Sequence, residues 1–494
     1  MAYNFETENA KTLRYAPDFV NITIKVGNET IMTLNKEDLI SCVLSLKSVE
    51  TKLDNPELQA STLELEAYWP GDDEDIAKFR GKNTIIEYQC GYVDGEKSKK
   101  RTFYAAFDED GLKLRNHTLK ISATDGVGTI TGQNEYTVTR SDWGGTIGNR
   151  SWVYVSNIFE KYLKHICNKL SADGQTIFSD NTGCPGYSDW AKCYCDYGGA
   201  LYGGELHMLI ENKSYRKTVA QFCNIFRGSD LTNPDAYAKR FVFRDAGIPV
   251  AGWCRSGIGD FAGGTKDNIL LWDINYNDVS EFAVTYGNPI KTVSIINPRL
   301  GVLDETRSIR SDYVYKTRGA VFIKTEDYIS RIDGYGGAGV ASVDLLDGKT
   351  IKVTFEELAN VSKYCDVSYY ALYKVDGGRT VTVHSSHAEG DSIRLEELCG
   401  LAQLDMYQPS SPAQLKPIQT ALEHTLNDCG LANPRWIEFT WRGNPNMQPR
   451  DTILFTEKDG TQNYYEIDNL TLEHVDGGLI SKVKAIYKYP YQGE

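Results

Sequence analysis

The chain predicts a mainly β, multidomain protein of α+β type. Three observations predict it. Apolar and polar residues alternate over short runs at both ends of the chain. Turn dipeptides separate those runs. At 494 residues the chain is also too long for a single hydrophobic core, so three or four domains are expected. The boundaries expected from changes in pattern are 1–137 for a first β-barrel and 138–290 for an α/β domain. A further β segment follows over 291–405, then a helix with a second barrel over 406–494.

In the first segment Val20, Ile22, Ile24 and Val26 alternate strictly, and Leu63, Leu65 and Ala67 do so again before Trp69-Pro70. Runs at Ile85–Tyr92, Thr102–Phe107 and Leu119–Ala123 complete the set, with Gly27-Asn28, Pro70-Gly71, Asp94-Gly95 and Asp110-Gly111 as turns. Strands at this spacing suit a closed or partly open barrel.

Between 138 and 290 the period changes. Val155, Ile158, Phe159, Tyr162, Leu163, Ile166 and Leu170 fall on one helical stripe, and Val219, Phe222, Cys223 and Phe226 form a shorter one. Strands return at Arg240–Phe243 and Ile269–Trp272, which gives the α/β expectation. The next segment reads as β at Val293–Ile296, Val321–Lys324, Ile351–Phe355, Tyr369–Val375 and Val381–Val383.

A helix is expected over Pro417–Cys429. Pro417 suits the first helical position, Gly430 suits the residue past the end, and Ile418, Leu422 and Leu426 make the buried face. The last segment alternates through Ile437, Phe439 and Trp441, then Ile453 and Phe455, then Tyr464, Tyr465 and Ile467, and closes on Leu479, Val483 and Ile486. Asp459-Gly460 and Asp476-Gly477-Gly478 are its hairpin signals.

Four clusters carry chemistry-bearing residues. Gly334-Tyr335-Gly336-Gly337-Ala338-Gly339 fits GxGxxG, but a dinucleotide loop needs a helix after it. The strand-like Val340–Leu345 and the turn Asp347-Gly348 follow instead, so a hairpin is expected. His384 and His387, with Glu389 and Asp391, follow an alternating run; residues three apart on a strand face opposite sides, so a solvated loop is favoured over a metal site. Cys184, Cys193 and Cys195, with Cys167 and His165 upstream, are the best metal candidate. Their spacings of eight and one intervening residues are not those of paired zinc ligands, so small buried thiols are preferred to a zinc or disulfide clip. The run Asp72-Asp73-Glu74-Asp75 lacks the spaced oxygens and glycine of a calcium loop and reads as a solvated turn.

No serine-hydrolase elbow, zinc-protease motif or phosphate loop is present, and no single carboxylate pair stands out. The expected catalytic, cofactor and metal residues are therefore none. Net charge of −14 argues against a nucleic-acid-binding surface. The 31 tyrosines fit strands and protein interfaces, with saccharide binding as the competing use. The 11 cysteines come without a basic and apolar leader. Synthesis in a reducing compartment and free thiols are expected. No apolar run is long enough to span a membrane as a helix.

The closing order Trp441-Arg442-Gly443-Asn444-Pro445, Gln448-Pro449 with Asp451, a Lys458-Asp459-Gly460 hairpin, then Asp476-Gly477-Gly478-Leu479 with Ser481 and a last strand resembles the final domain of tailed-phage baseplate hub, or tail-associated, proteins. A Gly-Tyr strand at Gly91-Tyr92, the strand at Thr102-Phe103-Tyr104 and the corner Ala123-Thr124-Asp125 resemble the first barrel of the same family. The resemblance covers about residues 38–130 and 417–490. One departure stands out: the family usually has Gly-Asp after Gln-Pro, and this chain has Arg450-Asp451.

The resemblance implies a non-enzymatic structural role without cofactors. Three copies would form a ring continuing the tail tube, with an outward-leaning α/β domain on each. Implied partners are further copies of itself, distal tail or tube proteins, a tape-measure or spike protein, and fibres or receptor-binding proteins. DNA would pass without being held. The location implied is the virion tail, after assembly in the host cytoplasm. The chain ends after the last hub strand, so no appended wall-cleaving activity is expected. Two rivals remain: a saccharide-binding host-surface adhesin and a cell-wall-degrading tail enzyme with its site within 141–290.

Overall fold

Fourteen strands join into one sheet in the computed structural model of this chain. With short breaks the structure describes residues 17–48, 57–69, 84–125, 271–405 and 431–491, together with isolated strands and residues outside these ranges. From the first part of the chain come β1 (Phe19–Val26), β2 (Glu29–Asn35), β3 (Leu39–Leu46), β4 (Thr62–Tyr68), β5 (Thr84–Gly91), β6 (Arg101–Ala105), β7 (Leu112–Arg115) and β8 (Thr118–Thr124). Later come β9 (Leu271–Asn275) and β10 (Ser280–Tyr286), and then β11 (Arg435–Trp441), β12 (Thr452–Thr456), β13 (Gln462–Val475) and β14 (Gly478–Pro490).

The main path runs β10-β11-β14-β13-β3-β4-β8-β6-β5-β1-β2, with β12 beside β13, β9 beside β12 and β7 beside β8. The two ends of the chain meet where β3 pairs antiparallel with β13: Cys42 opposes His474, Leu44 opposes Leu472 and Leu46 opposes Leu470. Period-2 patterning explains why one face is dry. In β1, β4 and β8 every second residue is buried, and a strand sends alternate side chains to opposite faces. Those inward residues merge into one core, from Val20 and Ile22 through Leu44 and Leu65 to Phe455, Leu472 and Val483.

The C-terminal half of the sheet curls on itself. Phe282 of β10 and Phe455 of β12 are not neighbours in the strand order, yet their rings stack at 5.4 Å and 8°. Phe439 and Tyr465 close on the same ring at 5.5 and 6.1 Å. Curling hides an apolar face that a flat sheet would leave wet. Each end is expected as a closed or partly open barrel; no closed barrel forms among the described residues, where the pairing joins both ends in one curved sheet because the second edge of β3 pairs with β13.

The α/β expectation for 138–290 is not supported. The elements described there are strands, including Lys239–Phe243 paired with Ala251–Arg255, plus a single 3-10 turn at Tyr276–Asp278. The two predicted helical stripes, at Val155–Leu170 and Val219–Phe226, lie outside the described residues. Strand Leu271–Asn275 goes into the large sheet, parallel to β12. Of the predicted helix at Pro417–Cys429, Leu422 and Leu426 are helical and fully buried, as its apolar face requires.

From Ile290 to Asp405 the regular elements described are all strands. Strands Arg299–Tyr313, Lys363–Lys374 and Tyr328–Gly336 lie side by side at one end of a six-stranded sheet. A three-stranded sheet of Gly319–Lys324, Thr350–Phe355 and Val340–Asp347 packs over it around a second core that includes Ile329, Val353, Phe355 and Val367.

Phe455 is fully buried at the centre of the aromatic cluster, whereas Tyr286, at the sheet's edge, is 69% exposed. Phe455→Ala is expected to cost about 3–5 kcal/mol, and Tyr286→Ala about 0.5 kcal/mol or less, read as shifts in urea midpoint.

Candidate functional site

The site is the seam where the two chain ends meet. Contacts besides the β3–β13 pairing cross it among the described residues. Tyr88 of β5 and His474 of β13 share a hydrogen bond of 2.7 Å between the phenol oxygen and Nε2. Arg101, with no exposed surface, donates from Nη1 to the Pro445 carbonyl at 3.3 Å. The amide of Leu479 donates to the Pro17 carbonyl at 2.7 Å.

Burial shapes the titration of this seam. His474 is pushed down to about 4, first because burial penalises the imidazolium and then because Lys36 adds like charge. Tyr88 is pushed far up, chiefly by burial. At neutral pH both groups are uncharged, so their hydrogen bond is a neutral one, while the bond from Arg101 to the Pro445 carbonyl carries the guanidinium's charge.

The turn at Gln448–Asp451 anchors the other half of β13. Asp451 is fully buried and takes hydrogen bonds through Oδ2 from Trp272 Nε1 and from the Gln448 amide, each at 2.9 Å. Trp272 also packs edge-on against Trp441 at 6.3 Å. The backbone of the turn grips Ile467 from both sides: Arg450 N–H donates to the Ile467 carbonyl at 2.8 Å, and Ile467 N–H donates to the Asp451 carbonyl at 2.9 Å. A register shift in the β13–β14 pairing lies immediately beyond, between Ile467 and Asn469.

Arg450 occupies the position where the resembled family has glycine, and its φ is +70°. A side chain there costs about 1–2 kcal/mol that glycine avoids. The offset is visible. Arg450 pairs with Glu466 at 2.7 Å and Asp468 at 3.7 Å, and Lys488 adds a contact to Glu466 at 3.6 Å. These side chains are nearly or mostly buried, so the two cations and two anions compensate one another in a dry setting. Gly443 is constrained more simply: its φ is +79°, and a Cβ would sit 2.5 Å from the Leu479 carbonyl oxygen.

The outward face of the same sheet is polar and charge-compensated. Lys25 and Lys100 both pair with Glu87, Lys120 with Glu66, Lys482 with Glu473 and Lys484 with Glu438, each between neighbouring strands or at a strand's end. Exposed pairs of this kind add little stability. Their effect is on the field: each of these lysines has its charge offset by a neighbouring carboxylate.

Most of the side-chain clusters singled out from sequence are not at the seam. Gly334–Gly339 is not a hairpin: it carries the chain from strand Tyr328–Gly336 of the six-stranded sheet to strand Val340–Asp347 of the three-stranded one, and the hairpin falls at Asp347-Gly348 instead. His384 ends strand Thr380–His384, while His387 lies outside the described residues. Cys184, Cys193, Cys195, Cys167, His165 and the acidic run Asp72–Asp75 also lie outside them. No metal-holding cluster occurs among the described residues. Cys42, Cys90 and Cys365 are buried free thiols. Among the described residues no helix is long and apolar enough to cross a membrane. The seam contacts themselves were missed from sequence. The one available signal was Arg450, as a departure from the family's glycine.

No family model matches the chain, and no curated protein does. Solved structures similar to it include tail proteins and a VgrG complex. The 43 kDa tail protein of prophage MuSo2 from Shewanella oneidensis is 9% identical with a TM-score of 0.40, over 94% of this chain and 98% of that one. Prophage tail protein gp18 from Listeria monocytogenes EGD-e is 10% identical with a TM-score of 0.37, over 94% of each chain. A chain of the Francisella PdpA–VgrG complex is 8% identical with a TM-score of 0.40, over all of this chain and 62% of that one. At such identity no residue role carries over.

Two outcomes follow from the seam. Arg450→Ala keeps the unfavourable backbone and strands Glu466 and Asp468, so a loss of about 3–5 kcal/mol is expected. Arg450→Gly relieves the backbone and should lose about 1–2 kcal/mol less. Denaturant melts should rank wild type first, then the Gly variant, then the Ala variant. For His474, the folded value of about 4 lies below that of the unfolded chain, so the unfolded state binds the proton first. Its contribution is complete above pH ~6.5 and declines as pH falls towards ~4, by about 3 kcal/mol in all. Urea melts across that range should show a steeper loss for wild type than for His474→Gln.

Proposed function

We propose that this chain is a structural baseplate-hub, or tail-tip, protein of a phage tail. The observation that carries the reading is the fusion of its two ends. The segments that resemble hub domains, near 38–130 and 417–490, share one sheet and one core through β3 and β13. A ring component under mechanical load needs its repeated units fixed to each other, and a shared sheet fixes them without a hinge.

In this reading three copies close into a ring by heterologous contacts. Two chain-end units per copy present six similar faces to a sixfold tail tube. The ring docks the tape-measure or spike protein, carries fibres or receptor-binding proteins on its outer parts, and lets the genome through. It has no enzymatic role and belongs to the virion tail after assembly in the host cytoplasm. The charge-compensated outer face of the sheet supports passage without retention, since holding DNA takes clustered basic residues on phosphate.

Purified protein is expected to give a trimer mass by mass photometry and annular particles in negative stain. A monomer at every salt and protein concentration, with no ring in tails, contradicts the proposal. The assembled ring is also expected to bind duplex DNA no tighter than roughly micromolar at about 50 mM salt. Tighter, salt-sensitive binding in a filter or fluorescence titration contradicts the passive channel.

A further inference from the structure

The two halves of the large sheet are built on one plan. Residues 35–46 read NKEDLISCVLSL, and residues 275–286 read NYNDVSEFAVTY. Aligned without a gap, Asn35 matches Asn275, Asp38 matches Asp278 and Leu44 matches Val284. Each stretch opens with a 3-10 turn, at Lys36–Asp38 and at Tyr276–Asp278, and continues as a strand, β3 or β10. A shift in register follows soon after the turn in both, between Leu39 and Ser41 and between Ser280 and Ala283. The strands that lead into the turns differ in partner, β2 beside β1 and β9 beside β12, so the repeat starts at the turn.

The pairing that follows repeats as well. β3 pairs with β4 and β4 with β8, as β10 pairs with β11 and β11 with β14. Leu63 lies opposite Leu44, and Ile437 lies opposite Val284, so β4 and β11 correspond in register too. β5 pairs with β6 as β12 pairs with β13. The second edge of β8 carries β6 and β7, where β14 carries the two parts of β13. The counterpart of Leu470–His474 in β13 is therefore β7, Leu112–Arg115.

Within one chain, β3 lies against that part of β13. The matching edges of β10 and β7 carry no strand among the described residues. Burial differs accordingly. Cys42, Leu44 and Leu46 are fully buried beside the seam, whereas their counterparts Phe282 and Val284 are only partly buried and Tyr286 is 69% exposed. An apolar strand edge of this kind is a template for another strand. The chain carries both halves of the absent joint: a strand lacking its neighbour, and the counterpart of the neighbour that it lacks. We propose that β10 of one copy pairs antiparallel with β7 of the next, repeating between copies the contact that β3 makes with β13 within one.

The internal seam sets the register. Leu44 opposes Leu472, which opposes Ser481, which opposes Trp441. In the first half, Leu114 opposes Leu119, which opposes Ala67, the counterpart of Trp441. Val284 thus falls opposite Leu114, and Ala283 opposite Arg115. One edge meets a different edge, so the contact is heterologous and can close a ring. The proposal rests on the ring reading above and adds which edges make its joints.

The test uses the full chain. Ala283→Cys and Arg115→Cys occupy the places that correspond to Val43 and Glu473, direct partners in the internal seam. The double variant is oxidised gently and run on non-reducing gels, and its linked peptides are mapped. A link between position 283 of one copy and 115 of another is expected, with covalent trimer on the gel. Tyr286→Lys places a charge on the exposed edge. It should raise the concentration needed for half-assembly by about tenfold or more, read by mass photometry, while circular dichroism stays that of the folded chain. Phe322→Lys, at an exposed position of the middle three-stranded sheet, should assemble as wild type does. A trimer in which 283 and 115 stay unlinked, or link only within single chains, overturns this joint and leaves the ring standing. So does a Tyr286→Lys variant that assembles as wild type does. A wild type that is monomeric under every condition overturns the joint and the ring together.

Discussion

Everything in the large sheet depends on one strand having two jobs. Gln462–Glu466 of β13 pairs with β12, and Leu470–His474 pairs with β3, while β14 follows along the whole length. A strand has only two edges, so it can change partners on one edge only by passing from one neighbour to the next. The passage falls at the register shift after Ile467. Extra residues at such a point bend and twist a strand, and here the bend lets one half curl around Phe455 while the other continues the N-terminal sheet.

The bend needs support because it interrupts the ladder, and the chain supplies it from the turn before β12. Arg450 and Asp451 hydrogen-bond Ile467 through their backbones, and the Arg450 guanidinium pairs with Glu466 and Asp468 around the same point. Glycine would suit the Arg450 backbone better. Arginine instead combines local strain with a nearly dry ion-pair group, whose contribution is a fixed geometry at the branch point. The proposed ring inherits its rigidity from this place: relative motion of the two ends would have to break β3 from β13 and expose Leu44, Leu46, Leu470 and Leu472 to water, at about 25 cal/mol per Å2 of apolar area.

Period-2 patterning made most of the β content legible. The runs at Val20–Val26, Leu63–Ala67, Leu119–Ala123, Ile437–Trp441 and Ile453–Phe455 all became strands, because one wet and one dry face leaves that mark in the text. The hairpin at Asp459-Gly460 and the one joining β13 to β14 were equally legible from their turn residues. The seam strand β3 was not picked out, although Cys42, Leu44 and Leu46 alternate within it, since local pattern says nothing about a partner over 400 residues away. Whether each barrel is closed or partly open is illegible for the same reason: closure depends on which edges pair. The Arg450 departure was visible as an oddity, but its compensating partners, Glu466, Asp468 and Lys488, looked like ordinary strand residues.

A single joined sheet requires β3 to lie against β13. Val43 and Glu473 are direct partners across that seam, so replacing both with cysteine and oxidising gently gives the most direct measurement. Peptide mapping by mass spectrometry should find an intramolecular link between positions 43 and 473 in most molecules, at dilution that excludes links between copies. Finding both introduced thiols free, or joined only between copies, would mean that the two chain ends are separate bodies and that no shared sheet holds them.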